Sequence, residues 1–488
     1  MSEALPEPAD APHADGLDLG FVSMGYAPDV GGIETHTAEV ARELLARGHR
    51  VHVLCIDPGS DAPFLSVRDE IVDGVGVRRV SYRYQDHRAL ADLGSRRAAN
   101  DVVMAWLAGV PTDVVHVHHG SPFSAGVLGA IHDMGRPLCV TLHDYWFLCP
   151  RGQMLRVDGV VCERVDHAAC AECLGATWPH LMPSTGGELR GPRGAHLGDD
   201  EQAARARSEH ALEMLALADR LFTPSSAARA VFERCGVPEG RIRLLANGVD
   251  TRNLPQAVAA LRRAEARRDG VLRVGVLGSA QPSKGVLEFA RAALSIETRE
   301  LSIEVHGPVP DYHGDGTYAA ELRALSLADD RLQLRGPYAR ADLPRVLARL
   351  DVVAVPSRWN EVFGLSAREA RAAGVPVLAS ERGGLLDLAG DPGVRLLSSE
   401  DFSAWRAALE ELLSDRKRLA FVPAPGGRTA HELALELEVH YVDLVRTLLG
   451  REPALLFEPG QDRARPRHDA ALTERTLAQK VWRFLRGD

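Results

Sequence analysis

The stretch SRWNEVFGLSAREARAAGVPV, residues 357–377, decides the fold of the second half of the chain. The apolar run 351–355 before it is typical of a buried parallel strand. Residues 365–373 have the pattern of a helix that ends at Gly374, ahead of a second apolar run at 377–379. The sequence therefore predicts a strand, loop, helix, strand unit, which is the repeating element of a parallel α/β sheet.

Two carboxylates stand eight residues apart in this unit, Glu361 in the loop and Glu369 in the helix. Eight helical positions span roughly 12 Å at about 1.5 Å per residue. Between the two acids the helix begins, and the first N–H groups of a helix lack intrahelical acceptors and bind phosphate. These N–H groups belong to Phe363, Gly364, Leu365 and Ser366. The unit suits a sugar joined through phosphates to a nucleoside, and a surface helix with solvated acids is the alternative.

The composition is that of a globular protein with more than one core. A chain of 488 residues is longer than one hydrophobic core usually supports. Hydrophobic residues make up 45% and charged residues 25%, and the net charge of −10 argues against general nucleic-acid binding. No run approaches the roughly 20 apolar residues of a membrane span, and residues 1–16 lack the apolar core of a secretion signal. We expect a cytoplasmic protein with a disordered lead at residues 1–16.

Short apolar runs alternate with helical segments from Leu19 onward, which is typical of a parallel sheet covered on both faces. The strands predicted in the first half are 19–24, 51–55, 114–118, 138–142, 221–223 and 242–245. Those predicted in the second half are 271–277, 301–306, 332–335, 352–355 and 377–379. We therefore expect two doubly wound, Rossmann-like α/β halves that face each other, with ligands in the cleft at the carboxyl ends of the strands.

The predicted domain organisation follows from these patterns. A first domain over residues 17–246 carries an insert at 149–200, and a second domain covers 247–428, starting with a polar linker. Residues 429–450 have the pattern of a long amphipathic helix, and residues 451–488 form a polar tail that ends in a basic amphipathic helix. That last helix is predicted to contact a membrane surface peripherally, to dock on a protein, or to pack against this chain.

Three further candidates lie where predicted strands end. Gly31 and Gly32 precede a helix and allow an anion to approach its N–H groups, although their loop is not the Gly-x-Gly-x-x-Gly of nicotinamide and flavin enzymes. His143 closes the fourth strand at the end that faces the cleft. Lys284, one of three lysines in the chain, follows the first strand of the second half and can neutralise a diphosphate. A plain turn, a structural histidine and a solvated lysine are the alternatives.

Taken in order, these motifs resemble the retaining family 4 glycosyltransferases, which have the two-domain GT-B fold, over residues 19–448. The resemblance implies that a nucleotide-diphosphate sugar gives its glycosyl group to a hydroxyl of a glycan, a lipid-linked acceptor or a small molecule. It implies that the anomeric configuration is kept and that catalysis requires no cofactor. It also implies that the helix at 429–450 crosses back to the first domain.

The resemblance assigns roles to the matched residues. The donor-binding positions are Gly31, Gly32, Ser279, Lys284, Phe363, Gly364, Leu365, Ser366 and Glu369, and the catalytic positions are His143, Lys284 and Glu361. Ser279 stands where the family usually has an arginine, and Arg358 or Arg382 is predicted to replace that charge. A GT-B epimerase or hydrolase acting on nucleotide sugars, and a noncatalytic scaffold that binds through the insert and tail, are the alternative functions.

The insert is rich in cysteine. Cys149, Cys162, Cys170 and Cys173 fall within 25 residues, with His167 beside them. One pair has the Cys-x2-Cys spacing of zinc sites, and a reducing cytoplasm disfavours disulfides. The gaps of twelve and seven residues differ from those of a zinc ribbon. The cysteines are predicted either to hold a structural zinc ion or to stay unmetallated, in a segment that shapes the acceptor side of the cleft.

Overall fold

The computed structural model contains two α/β units, each built on its own sheet. It describes residues 16–451 except 30, 58, 84–86, 187–198, 250–252, 265–269 and 417–426. The predicted fold class is confirmed. The predicted lead, the end of the insert and the tail with its terminal helix lie largely outside the described residues.

The first unit holds an eight-stranded sheet. Its strands are β1 Asp18–Val22, β2 Arg50–Asp57, β3 Val67–Val72, β4 Val75–Ser81, β5 Val114–Val117, β6 Leu138–Thr141, β7 Arg220–Thr223 and β8 Ile242–Leu244. Its helices are α1 Gly32–Ala46, α2 Ala91–Gly94, α3 Arg97–Gly109, α4 Val127–Asp133, α5 His167–Thr177, α6 Asp200–Leu215 and α7 Ser226–Arg234. The order is β3-β4-β2-β1-β5-β6-β7-β8, with only the β3–β4 hairpin antiparallel. Strand β1 is buried along its whole length because both faces of the sheet are covered.

The second unit holds a six-stranded parallel sheet. Its helices are α8 Leu254–Ala264, α9 Val286–Leu294, α10 Thr317–Ala328, α11 Leu343–Arg349, α12 Leu365–Ala372 and α13 Phe402–Ser414. Its strands are β9 Leu272–Leu277, β10 Leu301–His306, β11 Leu332–Gly336, β12 Val352–Val355, β13 Val377–Ser380 and β14 Val394–Leu397. The order is β11-β10-β9-β12-β13-β14. Strands β9 and β12 are neighbours at the point where the chain reverses direction across the sheet, which is where ligands bind in such folds.

Every predicted strand is present, and the structure adds three that the sequence analysis missed. These are the hairpin strands β3 and β4 and the edge strand β14. The polar linker also contains a helix, α8, whose Leu254 and Val258 are buried against the second unit. The linker was predicted from its polar composition, and its two apolar side chains are enough to dock a short amphipathic helix.

Helix α14, Ala430–Leu449, leaves the second unit and packs on the first. Thr429 and Glu432 form a capping box at its start, which satisfies two backbone donors. Tyr441 is fully buried in a core cluster shared with β1 and α1. Glu438 pairs with Arg47 beyond the end of α1. Within the described residues, neither this helix nor any other combines the length and apolar character needed to cross a bilayer.

Candidate active site

A lysine and a glutamate form an ion pair at the carboxyl end of the second sheet. Lys284 follows β9 and Glu361 follows β12, and Nζ lies 2.8 Å from Oε1 and 3.0 Å from Oε2. Glu361 also accepts hydrogen bonds from the Ser357 hydroxyl and the Trp359 indole, each at 2.8 Å. Burial alone would raise the pKa of Glu361, but Lys284 and these hydrogen bonds hold the pKa below its ordinary value. Glu361 is therefore a carboxylate at neutral pH.

Close backbone contacts join the two loops of this ion pair. The Arg358 N–H donates to the Ser283 carbonyl at 2.8 Å. Gly285 has φ +63°, and a Cβ there would lie 2.1 Å from the Pro356 carbonyl oxygen. A side chain at this position would force the loops apart, so glycine is required for the ion pair to form.

Helix α12 begins directly after Glu361, as predicted. Its N-cap Gly364 is left-handed with φ +75°, and a Cβ there would lie 2.4 Å from Leu385. The Arg368 guanidinium lies over the Phe363 ring, with Cζ of Arg368 4.2 Å from the ring centroid. The predicted phosphate donors from Phe363 to Ser366 thus occupy a rigid turn at the start of the helix, where N–H groups have no intrahelical acceptor.

Glu369, the second carboxylate, is bound to an arginine that links the two units. It is 4% exposed and pairs with Arg340 of the second unit. Arg340 also donates to Glu39 Oε1 on α1 at 3.1 Å. Burial raises the pKa of Glu369 even though Arg340 opposes the rise. The sequence analysis had no signal for Arg340 or Glu39, because they lie about 30 and 330 residues from Glu369 in the chain.

Three histidines of the first unit, His36, His118 and His143, form what we term the histidine cluster. One nitrogen of each ring lies within 4.8 Å of the others. His118 Nδ1 is 3.3 Å from His143 Nε2, and the His36 and His143 ring centroids are 4.6 Å apart. Burial lowers the pKa of all three, that of His36 to about 4. The rings are therefore neutral at pH 7, when they can accept as well as donate hydrogen bonds.

We expect the histidine cluster to make the protein sensitive to acid. The pKa of His36 is about 4 in the fold against an ordinary 6.5, so the unfolded chain binds the proton more readily. The stability that neutral His36 contributes is complete above the unfolded pKa and falls by about 1.4 kcal/mol per pH unit between the two values. Urea unfolding from about pH 7.5 to 4.5 should show a shallower pH dependence for His36→Gln than for the native chain. The comparison variant is His132→Gln, at a half-buried histidine outside the cluster, and a slope for His36→Gln as steep as that of the native chain would contradict the assignment.

The carboxylate of Glu34, in the first turn of α1, lies against the glycine loop. A Cβ on Gly31 would lie 2.1 Å from Glu34 Oε2, whereas a Cβ on Gly32 would meet nothing within 4 Å. Burial raises the pKa of Glu34. The loop is open at Gly32, but at Gly31 the Glu34 side chain takes up the space that an approaching anion would need.

The two arginines predicted to replace the charge missing at Ser279 differ in their surroundings. Arg382 donates to the Ser399 hydroxyl at 2.7 Å and to Glu400 at 2.8 Å. Arg358 pairs with Glu288 at 2.7 Å and lines the large cavity described next. Arg358 is therefore the better placed of the two.

A cavity of about 1080 Å³ lies between the units. Its walls include Asp144 of the first unit, Trp178 of the insert, and Tyr312 and Arg358 of the second unit. The His119 ring, which also lines it, lies 2.9 Å from Asp144 through Nε2. Among these residues, Arg358 is the one to which the sequence analysis assigned a role at the diphosphate.

Of the predicted catalytic residues, Lys284 and Glu361 are in contact in the second unit, whereas His143 lies in the histidine cluster of the first unit. The Trp359 indole, which donates to Glu361, meets Tyr145 with ring centroids 6.0 Å apart. Tyr145 is two residues after His143, so this contact joins the segment that carries His143 to the loop that carries the ion pair. The four insert cysteines do not join this site, because they line a separate cavity of about 40 Å³.

Two facing α/β units, with a basic and acidic pair at the switch point of the second sheet, define a GT-B glycosyltransferase. The sequence model "Glycosyltransferase Family 4" matches residues 30–253, and the model "Glycosyl transferases group 1" matches residues 269–415. The chain belongs to this family of glycosyltransferases, as the motifs predicted, and it is a transferase enzyme.

Curated relatives agree with this assignment. The chain is 28% identical to D-inositol 3-phosphate glycosyltransferase of Salinispora arenicola over 405 residues, which cover 79% of this chain and 80% of that protein. It is 27% identical to the GDP-mannose-dependent alpha-mannosyltransferase of Mycolicibacterium smegmatis over 441 residues, or 89% of this chain and 98% of that protein.

Solved structures share the fold. Sucrose-phosphate synthase from Thermosynechococcus elongatus superposes with a TM-score of 0.63 at 18% identity, covering 88% of this chain and 99% of that one. Anabaena HepE in complex with UDP-glucose superposes with a TM-score of 0.55 at 16% identity, covering 89% of this chain and 98% of that one.

Proposed function

We propose that this glycosyltransferase moves a hexosyl or related glycosyl group from a nucleotide-diphosphate sugar to an acceptor hydroxyl, with retention of configuration. The observation that carries the proposal is the contact between Lys284 and Glu361 at adjacent strand ends, directly before the start of α12. One relative is named as GDP-mannose-dependent and one structural neighbour holds UDP-glucose, which supports a nucleotide-sugar donor.

Lys284 and the start of α12 supply the positive charge in this proposal. As the bond from the anomeric carbon to the diphosphate oxygen breaks, negative charge collects on the diphosphate. A lysine and preorganised N–H groups stabilise that charge more than they stabilise the bound donor, which is what accelerates the reaction. Nζ of Lys284 is held by Glu361 and lies 5.3 Å from the Trp359 ring centroid, so it is positioned before the donor arrives.

Glu361 and His143 are proposed to hold the sugar from opposite sides. An ionised Glu361 accepts hydrogen bonds from sugar hydroxyls, and the neutral ring of His143 does the same or donates to one. Retention follows if the acceptor oxygen attacks the face from which the diphosphate leaves. The acceptor oxygen then bonds to the anomeric carbon, the carbon to diphosphate-oxygen bond breaks, and the acceptor proton passes to the departing diphosphate oxygen.

Glu369 is proposed to bind the ribose, which requires Arg340 to release it. Two ribose hydroxyls need both carboxylate oxygens, and Arg340 now donates to Oε1. Since Arg340 also donates to Glu39 of the first unit, donor binding and the contact between the units are coupled. The ribose then takes the place of the arginine, and the link between the units changes when the donor is bound.

The first experiment is a donor and acceptor screen on the purified chain. A thermal-shift series with UDP-, GDP- and dTDP-sugars should show one nucleotide class raising the unfolding midpoint, because a ligand stabilises the state it binds. D-inositol 3-phosphate, which the names of several relatives give as an acceptor, joins simple sugars and lipid-linked glycans as acceptors to test. NMR of the product should show the donor's anomeric configuration. Donor cleavage at the same rate without any acceptor would instead indicate a hydrolase or epimerase.

Glu369→Gln is expected to weaken donor binding about tenfold with little change in kcat. The change removes a charge-assisted hydrogen bond to the ribose, which is equally strong in the ground state and the transition state. The comparison variant is Glu39→Gln, which alters the other end of Arg340 and leaves the ribose carboxylate in place, so its donor Kd should rise less than that of Glu369→Gln. Donor titrations on both variants test this, and an unchanged donor Kd in Glu369→Gln would remove Glu369 from the nucleotide site.

A further inference from the structure

The four insert cysteines converge although they come from three separate local structures. Cys149 follows β6 in a turn, and its N–H donates to the Tyr145 carbonyl at 2.8 Å. Cys162 follows a small antiparallel bridge between Leu155 and Val161. Cys170 and Cys173 lie three positions apart on α5, on one face of the helix. All four line the same cavity of about 40 Å³.

The cysteines in this cavity are not joined by disulfides. Cys173 is 9% exposed, and the other three are half-buried against the core of the first unit. Free cysteines can pack as small hydrophobic residues, but four thiols around one cavity are also the ligand set of a tetrahedral metal site. The arrangement is better explained by a shared ligand.

Two buried arginines beside the cysteines lack a carboxylate partner. Arg207 on α6 is 1% exposed and donates to the Trp146 and Phe147 carbonyls at 2.7 and 3.1 Å, just before Cys149. Arg151 is 6% exposed and donates to the Leu155 carbonyl at 2.6 Å. Neither has a described carboxylate within 4.0 Å, and the Nε of each is buried without a described partner.

Ionised thiols at this site can balance the two positive charges. Arg151 Nη1 lies 3.3 Å from Cys173 Sγ. Arg207 donates to the carbonyls of Trp146 and Phe147, which stand three and two residues before Cys149. Burying two guanidinium groups without counter-charge is costly. Four thiolates around a divalent ion carry a net charge of −2, which matches the two arginines.

We propose that Cys149, Cys162, Cys170 and Cys173 bind a metal centre as four thiolates, and that Arg151 and Arg207 balance its charge. Zinc is the ion that isolated tetrathiolate sites take most often, with sulfur about 2.3 Å from the ion and therefore sulfurs roughly 4 Å apart. Among the described residues only the histidine cluster brings three ligand atoms within 4.8 Å, so the thiols must draw together around one ion. An iron–sulfur cluster, which four cysteines also ligate, spans a wider set of sulfurs.

The centre would fix one wall of the cavity between the units. The cysteine segment contributes Arg156 and Trp178 to that wall. The Trp178 ring meets His313 of the second unit edge-on, with centroids 5.2 Å apart. The segment between Cys149 and Cys173 is otherwise mostly turns, and a metal crosslink would hold it in place against both units. The effect on acceptor binding rests on the proposed function, whereas the metal centre itself does not.

The test is metal analysis of the full chain purified anaerobically without an affinity metal. We expect about one zinc per chain by mass spectrometry, or iron and sulfide in fixed ratio with visible charge-transfer absorption. Either result supports a tetrathiolate centre and identifies its metal. Cys170→Ser and Cys173→Ser should lose the metal, whereas Cys235→Ser, a half-buried cysteine outside the set, should retain it. His36→Gln should also retain it, which excludes the histidine cluster as the source.

A second measurement covers variants that do not fold. In the native chain, titration of thiols with an organomercurial should release the metal in step with modification of four cysteines, as read by a chromophoric chelator. Metal-free protein with four reactive thiols, or with disulfides between these cysteines, would overturn the proposal. Neither measurement uses a sugar, so failure of the metal centre and failure of the proposed transfer are distinguished.

Discussion

Glu361→Gln is expected to lower kcat by about 10²- to 10³-fold while the chain keeps its fold. The glutamine has the shape of the glutamate, but it cannot pair with Lys284 as an anion or accept at both oxygens from the groups that surround it. Lys284 then loses its fixed position and the sugar loses an ionised acceptor. Both changes remove more stabilisation from the transition state, where charge has separated, than from the bound donor. We therefore expect kcat to fall more than donor affinity.

The stability of this variant must be measured beside its activity. Removing one partner of a half-buried ion pair should cost roughly 1–3 kcal/mol in the free energy of unfolding. Glu438→Gln is a matched control, because Glu438 is 2% exposed and pairs with Arg47 at the packing of α14 on the first unit. It should lose similar stability and keep native kcat. A Glu361→Gln variant with kcat within about threefold of native would rule out the assigned role.

The features that the sequence predicted well are those carried by local patterns. Apolar runs buried on both faces, such as β9 and β12, show as continuous hydrophobic stretches, and this is why both sheets were predicted. Lys284 and Glu361 were found because each lies in the loop that joins such a run to the next helix. Since β9 and β12 are neighbours, the carboxyl ends of these strands place the two residues in contact.

The features that were missed depend on contacts between distant parts of the chain. Strand β3 is largely exposed, so its burial pattern carries no apolar signal, and only pairing with β4 makes it a strand. Arg340 reaches Glu369 and Glu39 because three elements of both units meet there. His36 and His118 belong to the histidine cluster through packing of α1 on the first sheet, which one sequence does not reveal.

The position of Ser279 explains why one lysine should matter so much in this chain. Family members usually carry an arginine there, and the structure offers Arg358 nearby but paired with Glu288. Arg382 is occupied by Ser399 and Glu400. If Lys284 binds the diphosphate as proposed, it does so without a cation at residue 279 to share that charge, and its loss should be correspondingly severe.

Lys284→Met is expected to lower kcat by about 10³-fold, because methionine fills the same space without the charge that stabilises the departing diphosphate. The double variant Lys284→Met/Glu361→Gln should have a kcat only slightly below that of the less active single variant, since the two residues act as one unit. Fully additive losses in that cycle would show that they act separately.

Ser279→Arg supplies the decisive comparison. If the diphosphate lies between residue 279 and Lys284, an arginine at 279 should recover at least about tenfold of the kcat lost in Lys284→Met, because a second cation then faces the same developing charge. In the native background the same change should tighten donor binding, with a smaller effect on kcat. Arg358→Met can also be added to Lys284→Met. It should lower the remaining kcat only if Arg358 breaks its ion pair with Glu288 and binds the diphosphate instead. Steady-state kinetics on these four variants therefore locate the leaving group. If Ser279→Arg/Lys284→Met recovers none of the kcat lost in Lys284→Met, the diphosphate does not lie between residue 279 and Lys284.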